Sequence, residues 1–239
     1  MISLNRTPNI SRTHLDEYLR EEGRVEREIW SVIDVRGKTV IDVGAGESTK
    51  KLRELGATVI AVDNDPEKVK GMVEIGVPLI LCDFLQFPFR TRLADIVVFY
   101  FTLHEINPVS HCEVISIACE LAPRIMIVEP SPKGCEIYEE YSSLWREAMH
   151  SVGRFEDYRP IEYWKSLLEE AELKVTSKTI TWSSTIPPNK LEEIIKITVK
   201  EWKRMEVKQE YITRIKELLE RAKEIGMRWS DINVLVGIS

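Results

Sequence analysis

Lys38-Thr-Val-Ile-Asp-Val-Gly-Ala-Gly-Glu-Ser48 decides the fold. Its first half is a β-branched apolar run, too short for a helix and ending in glycines. It reads as a buried strand feeding a tight turn. Thr49–Leu55 then follows as a helix, with Gly56 placed to cap its C-terminus. Working outward, the alternation repeats. Thr58–Val62 is a strand, Pro66 opens a helix at a favoured early position, and Val77–Cys82 and Asp95–Phe101 are further strands. His111–Leu121 is a helix and Arg124–Val128 a fifth strand. Strands alternating with helices in this way imply right-handed crossovers and a mainly parallel sheet covered on both faces.

On the N-terminal side, Arg12–Val32 reads as an amphipathic helix that Gly23 divides. After Pro132 the pattern turns to longer helices, Glu136–Met149 and Ile161–Ala171, followed by a strand at Lys174–Trp182. Pro187-Pro188 breaks the chain. Two helices, Leu191–Arg204 and Glu210–Ile225, precede a last strand at Ile232–Ile238. The expected fold is therefore α/β: a doubly wound, Rossmann-like, mostly parallel sheet with an antiparallel C-terminal strand, an N-terminal helix and helical insertions. One domain is expected over 1–239. It divides into an N-terminal helical segment (1–36), a cofactor-binding half (37–130), lid helices with the following strand (131–186), and a helical hairpin with the final strand (187–239).

Composition sets bounds on function. The 239 residues carry a net charge of −6, 44% hydrophobic and 30% charged side chains. That balance disfavours a surface built for nucleic acid. The longest apolar stretches, such as Ile96–Leu103, fall far short of a bilayer span, and MISLNRTPNI lacks the cationic start and apolar run of a secretory signal. Cys82, Cys112, Cys119 and Cys135 form no CxxC pair, so free thiols and no metal site are expected. The expected setting is cytoplasmic, with no membrane contact.

Three elements carry chemistry. Gly44-Ala45-Gly46 at a strand-to-helix turn lets a ligand approach the backbone where the helix N-terminus favours an anion. A plain tight turn would read the same way. Asp63 ends the next strand, about twenty residues on, where a carboxylate can accept from both hydroxyls of a ribose. It could instead cap the Pro66 helix together with Asn64 and Asp65, of which Asp65 fits the cap better. Asp83 and Phe84 follow the third strand, where the acid can read an adenine edge and the ring can pack on it or simply join the core. Together the three sit at the carboxyl ends of successive strands, where open α/β sheets bind ligands.

With these residues in view, the chain from Lys38 to Trp182, with the last strand, resembles the class I S-adenosylmethionine-dependent methyltransferases. The matching segments are IDVGAGES, AVDND, LILCDFLQFPF, LADIVVFYFTLHEI, RIMIVEP and EYWKSLLEEAELKV. The resemblance implies S-adenosylmethionine as cofactor, with Asp42, Gly44, Ala45 and Gly46 near its methionine end. It also implies Asp63 and Asn64 near the ribose, Asp83 and Phe84 near the adenine, and Tyr100 beside them. Ser48 departs from the third glycine that many members carry. An NAD site fits less well, because its third glycine would fall at Thr49 and an acid two residues before Gly44 is unusual there.

His104 and Glu105, just after the fourth strand, are the candidate catalytic pair: a neutral imidazole to take a proton and a carboxylate to orient it. A role for His104 in starting a helix or touching the cofactor is the competing reading. Tyr18, Arg20, Arg24, Tyr138, Tyr141 and Trp145 either form a lid or are helix core stripes. The expected activity is methyl transfer to a small-molecule acceptor at O or C. An RNA or protein acceptor, or a non-catalytic cofactor-binding subunit of a partner, are the alternatives. The 187–228 hairpin carries apolar stripes that cover its own domain, close over the substrate, or join two copies as a homodimer.

Overall fold

The computed structural model describes residues 7–88 and 92–239, with side chains from residue 13 onward. The expectations on the first six residues and on Phe89 lie outside the described residues. Contacts divide the chain into two compact units, one of Ile29–Ser131, Asp157–Thr179 and Ile232–Ser239, the other of Met1–Glu28, Pro132–Glu156 and Ile180–Asp231.

The first unit is built on a seven-stranded sheet in the order β3-β2-β1-β4-β5-β7-β6. Its strands are β1 (Thr39–Val43), β2 (Thr58–Asp63), β3 (Leu79–Leu81), β4 (Ile96–Tyr100), β5 (Arg124–Pro130), β6 (Lys174–Ile180) and β7 (Ile232–Ile238). β1, β2, β3, β4 and β5 pair in parallel, and β7 runs antiparallel to β5. The central strands are apolar on both faces because helices cover both, which is why they lack a strict alternation. α2 (Glu47–Glu54), α3 (Pro66–Met72), α4 (His111–Leu121) and α6 (Ile161–Glu170) complete this unit. Its main core joins Ile41, Val97, Phe99, Ile125, Ile127 and Leu235 of the sheet to Val114, Leu121, Trp164 and Leu168 of the helices.

From β1 the chain winds to β2 and β3 on one side; from β4 it winds to β5 on the other. The order therefore reverses between β1 and β4. At that point successive crossovers leave a crevice at the carboxyl ends of the strands. Asp42, Asp63, Tyr100 and Glu129 all stand at those ends.

The second unit is helical: most of α1 (Thr7–Trp30), then α5 (Glu136–Ser151), α7 (Pro188–Arg204) and α8 (Gln209–Ile225). α1 runs unbroken through Gly23. A lone glycine weakens a helix without having to end it, and this one adopts no left-handed conformation. Leu191, Trp202, Ile212, Ile215 and Leu219 bury the hairpin's apolar stripes, and Trp145 of α5 packs on Trp202 at 5.3 Å. Arg214 and Arg221 of α8 pair with Glu147 and Glu140 of α5. Tyr18 is buried, stacks on Trp182 at 5.9 Å and accepts a hydrogen bond from Trp229 Nε1 at 3.0 Å. Arg24 is bound to Glu21, Glu28 and the carbonyl of Thr181. Tyr138 and Tyr141 are buried as well, so these aromatics serve as the unit's core.

Candidate functional site

The glycine turn is shaped by side chains that its motif does not advertise. Gly44 has φ +85°, and a Cβ there would collide with Thr102 Oγ1, so both backbone and space demand glycine. Gly46 is different. Its φ of −179° suits any residue, and a Cβ would meet only the carbonyl of Gly44 at 4.0 Å, which leaves open room beside the backbone. Gly46 N–H donates to Thr49 Oγ1 at 3.1 Å, and the Thr49 hydroxyl donates onward to Asp42 Oδ2 at 2.5 Å. Ser48 Oγ donates to the same oxygen at 2.9 Å. Ser48 and Thr49 thus stand where other glycine turns place a third glycine because their hydroxyls hold Asp42. α2 begins at Glu47, two residues earlier than the sequence suggests, with Gly46 as its N-cap.

Asp42 is wholly buried, and its second oxygen, Oδ1, has no hydrogen-bond partner among the described residues. Burial pushes its carboxyl up to about 7; the hydroxyls of Thr49 and Ser48 hold it from rising further, and the nearby charge of Asp63 adds to the rise. The sign for stability follows. The folded chain holds this proton between about pH 4 and 7 while the unfolded chain has released it, so stability falls as pH rises through that window. Denaturant midpoints measured across it should decline in the wild type and run flatter in Asp42→Asn. Equal slopes would contradict the burial argument.

Asp63 repeats the pattern one strand away. Oδ1 accepts from Asp65 N–H at 2.8 Å, while Oδ2 is buried without a partner. Asp65 takes the helix cap, accepting from Glu67 N–H at 2.9 Å and Lys68 N–H at 3.5 Å. Asn64 beside it is exposed. A buried carboxylate oxygen without a donor costs about 1–3 kcal/mol or more. Two of them on adjacent strands, beside an open glycine backbone, mark a place for a ligand rich in donors.

The other candidates are placed as follows. Asp83 is exposed and caps a short 3-10 turn through Leu85 N–H at 3.0 Å. Phe84 is committed to the core, edge-on to Phe99 at 5.6 Å and tilted against Phe87 at 5.7 Å. Its ring is buried in the main core of this unit. Ala45 packs with Ala61 and Met72. Tyr100 is half-buried and lies flat against Trp30, 5.6 Å away at 6°.

After β4 the chain turns sharply. Phe101 has φ +51°, an uncommon conformation for a bulky residue, and a 3-10 turn at Leu103–Glu105 follows. His104 is buried on this turn, its Nδ1 2.5 Å from Glu129 Oε2. Glu129 is buried at the end of β5, and its Oε1 accepts from Thr102 N–H at 3.0 Å and Leu103 N–H at 2.7 Å. Oε2 stands as the acceptor facing Nδ1, so His104 presents Nδ1–H to it. The carboxylate hydrogen-bonded to Nδ1 is that of Glu129, whereas Glu105 is the one expected from its place beside His104. Glu105 is exposed, with a carboxylate oxygen within 4.8 Å of a His104 ring nitrogen. Tyr158 lies against the imidazole at 5.0 Å, and Asp157 N–H donates to the carbonyl of His104 at 2.8 Å. From sequence, Glu129 receives no role and the strand is expected to end at Val128; the signal available is a lone acid following the apolar run RIMIV.

Residues 41–116 match the family model described as a methyltransferase domain. Over these residues the chain resembles a methyltransferase domain. The two partnerless carboxylate oxygens and the open Gly46 backbone fit a ligand that is rich in hydrogen-bond donors and comes close to the main chain. Solved structures share the fold. An S-adenosylmethionine-dependent methyltransferase from Archaeoglobus fulgidus aligns at TM-score 0.59 and 17% identity, covering 92% of this chain and 94% of its own. A cyclopropane-fatty-acyl-phospholipid synthase-like protein from Lactobacillus casei aligns at 0.61 and 11%, covering 99% and 96%. A mycolic acid cyclopropane synthase complexed with S-adenosylhomocysteine aligns at 0.61 and 11%, covering 91% and 83%. No curated protein sequence matches this chain. Among the described residues, no helix is long and apolar enough to cross a membrane.

Proposed function

We propose that this methyltransferase moves the methyl group of S-adenosylmethionine to a small-molecule acceptor at oxygen or carbon, with His104 as general base. The observation that carries this reading is the buried His104–Glu129 pair. When bound, S-adenosylmethionine supplies an electrophilic methyl carbon on a sulfonium. Asp63 holds the ribose hydroxyls through Oδ2, Asp42 and the backbone at Gly44 and Gly46 face the methionine end, and Asp83 reads the adenine edge. Tyr100 and Asn64 complete the cofactor side.

On the acceptor side, a hydroxyl or an activated carbon must lose a proton before or during attack. An amine attacks through its own lone pair and asks no base at that step, so a buried imidazole–carboxylate pair favours the former two. Nδ1 is committed to Glu129, so the acceptor's proton goes to Nε2. The carboxylate then stabilises the imidazolium that forms. A net charge of −6 favours a small molecule over RNA. The four unpaired cysteines suit a reducing, cytoplasmic setting.

The test is transfer of a labelled methyl group from S-adenosylmethionine into three fractions: small metabolites, RNA and protein. Label is expected in the small-molecule fraction with wild type, and lost with His104→Gln while cofactor binding persists. Label in RNA or protein alone would overturn the acceptor class. Binding without transfer to any fraction would favour a non-catalytic subunit.

A further inference from the structure

We propose that His111 is a positioning residue for His104, tying down the carbonyl side of the turn that carries it; the inference rests on His104 being the base. The turn is entered through Phe101 in the left-handed region, and such a start persists only where surrounding contacts over-determine it. On its N–H side those contacts come from Glu129, through Thr102 and Leu103. On its carbonyl side they come from His111, whose Nε2 lies 3.0 Å from Leu103 O and 3.1 Å from Ile106 O. The two carbonyls flank His104 in sequence, so the imidazole and the carboxylate grip the same short turn from opposite polar faces.

The protonation of His111 follows from its partners. Carbonyl oxygens only accept, so Nε2 carries the hydrogen. Nδ1 sits 2.8 Å from the Tyr163 hydroxyl and accepts a hydrogen bond from it. The ring is fully buried at the first residue of α4, with Trp164 at 5.2 Å and Tyr163 at 5.7 Å. Burial lowers its pKa, which keeps it neutral with both nitrogens in use. Arg159 lies 5.2 Å over the Tyr163 ring. A leucine would fill the same volume. What only a donor at this position achieves is the bond to two carbonyls of the turn, and a polar ring accepts full burial at a cost unless those bonds are made.

Structural and positioning roles are separated by watching His104 itself. The full chain with labelled histidine has four imidazoles, at His14, His104, His111 and His150, to be assigned by substitution. In wild type and His111→Gln, whose amide keeps a donor near the Nε2 position, His104 should show a single Nδ1–H form with a slowly exchanging proton. In His111→Leu that proton should exchange at least about tenfold faster. Methyl transfer should fall between about 10-fold and 100-fold while affinity for S-adenosylhomocysteine stays within about twofold. Tyr163→Phe, which removes only one hydroxyl, should move His104 in the same direction by less, and it decides the matter if His111→Leu does not fold. An unchanged His104 signal in folded His111→Leu, or in Tyr163→Phe where that variant alone folds, overturns the proposal. So does a His111→Gln variant as disturbed as the leucine one. Full transfer activity in His104→Gln would instead sink the assignment of the base, and the exchange readout would still report on the turn.

Discussion

Asp63→Ala is expected to weaken S-adenosylmethionine binding between about 10-fold and 100-fold. Hydrogen bonds to a charged group contribute about 1.5–3 kcal/mol, and each 1.4 kcal/mol is tenfold in affinity. Oδ2 of Asp63 is buried and partnerless, so the donors it would meet replace no existing bond, and their loss is felt in full. The neighbouring acid is the control. Asp65→Ala should cost about 1 kcal/mol of stability by removing a helix cap, with affinity nearly unchanged. Calorimetric titration of the two variants separates the roles. If Asp63→Ala binds as wild type does, the carboxylate at the end of β2 is only part of a turn.

The second large effect belongs to Glu129. In Glu129→Gln the carbonyl oxygen can still accept from Thr102 and Leu103, so the turn survives. The amide nitrogen, however, then faces Nδ1 of His104 as a donor. The imidazole must answer by accepting there, which moves its hydrogen to Nε2 and removes the base. Methyl transfer should fall by about 10²–10⁴, the usual worth of a positioned general base, while cofactor affinity stays near wild type. Glu105→Gln is the comparison, and its exposed carboxylate should matter by no more than about twofold. Steady-state transfer to the labelled acceptor gives the answer. Were Glu105→Gln the damaging change and Glu129→Gln silent, the pairing seen at 2.5 Å would not be the one that works.

The sequence makes the glycine turn and the acids beside it legible because their determinants are local. A β-branched run, a glycine turn and an acid at the end of the next strand are each short-range patterns, and the parallel order of β1, β2 and β4 follows from the strand–helix alternation. Even Asp63 and Asp65 can be told apart by the position of Pro66, and the structure assigns the helix cap to Asp65 as that reasoning expects. The acceptor side is less readable. His104 and Glu129 lie 25 positions apart and meet only because β4 and β5 pair with Tyr100 opposite Val128. Proximity in sequence points to Glu105, whereas the hydrogen bond to Nδ1 comes from Glu129 on the neighbouring strand. His111 hid in the same way, since a histidine opening an apolar helix gives no sign that its ring turns back on the preceding loop. Phe84 shows the same ambiguity from the other side: an aromatic after a strand suits both a ligand and the core, and this ring packs edge-on to Phe99. Ser48 and Thr49 looked like departures from a glycine pattern until Asp42, six and seven residues back, supplied the reason for their hydroxyls.

The central claim is that Asp42 Oδ1, Asp63 Oδ2 and the open backbone at Gly46 together form a site for S-adenosylmethionine. Titration calorimetry of the purified full chain with S-adenosylmethionine, S-adenosylhomocysteine and NAD tests it most directly. Micromolar binding of the first two, with NAD at least about tenfold weaker, is the predicted result. Preference for NAD, or heat from none of the three, would contradict it.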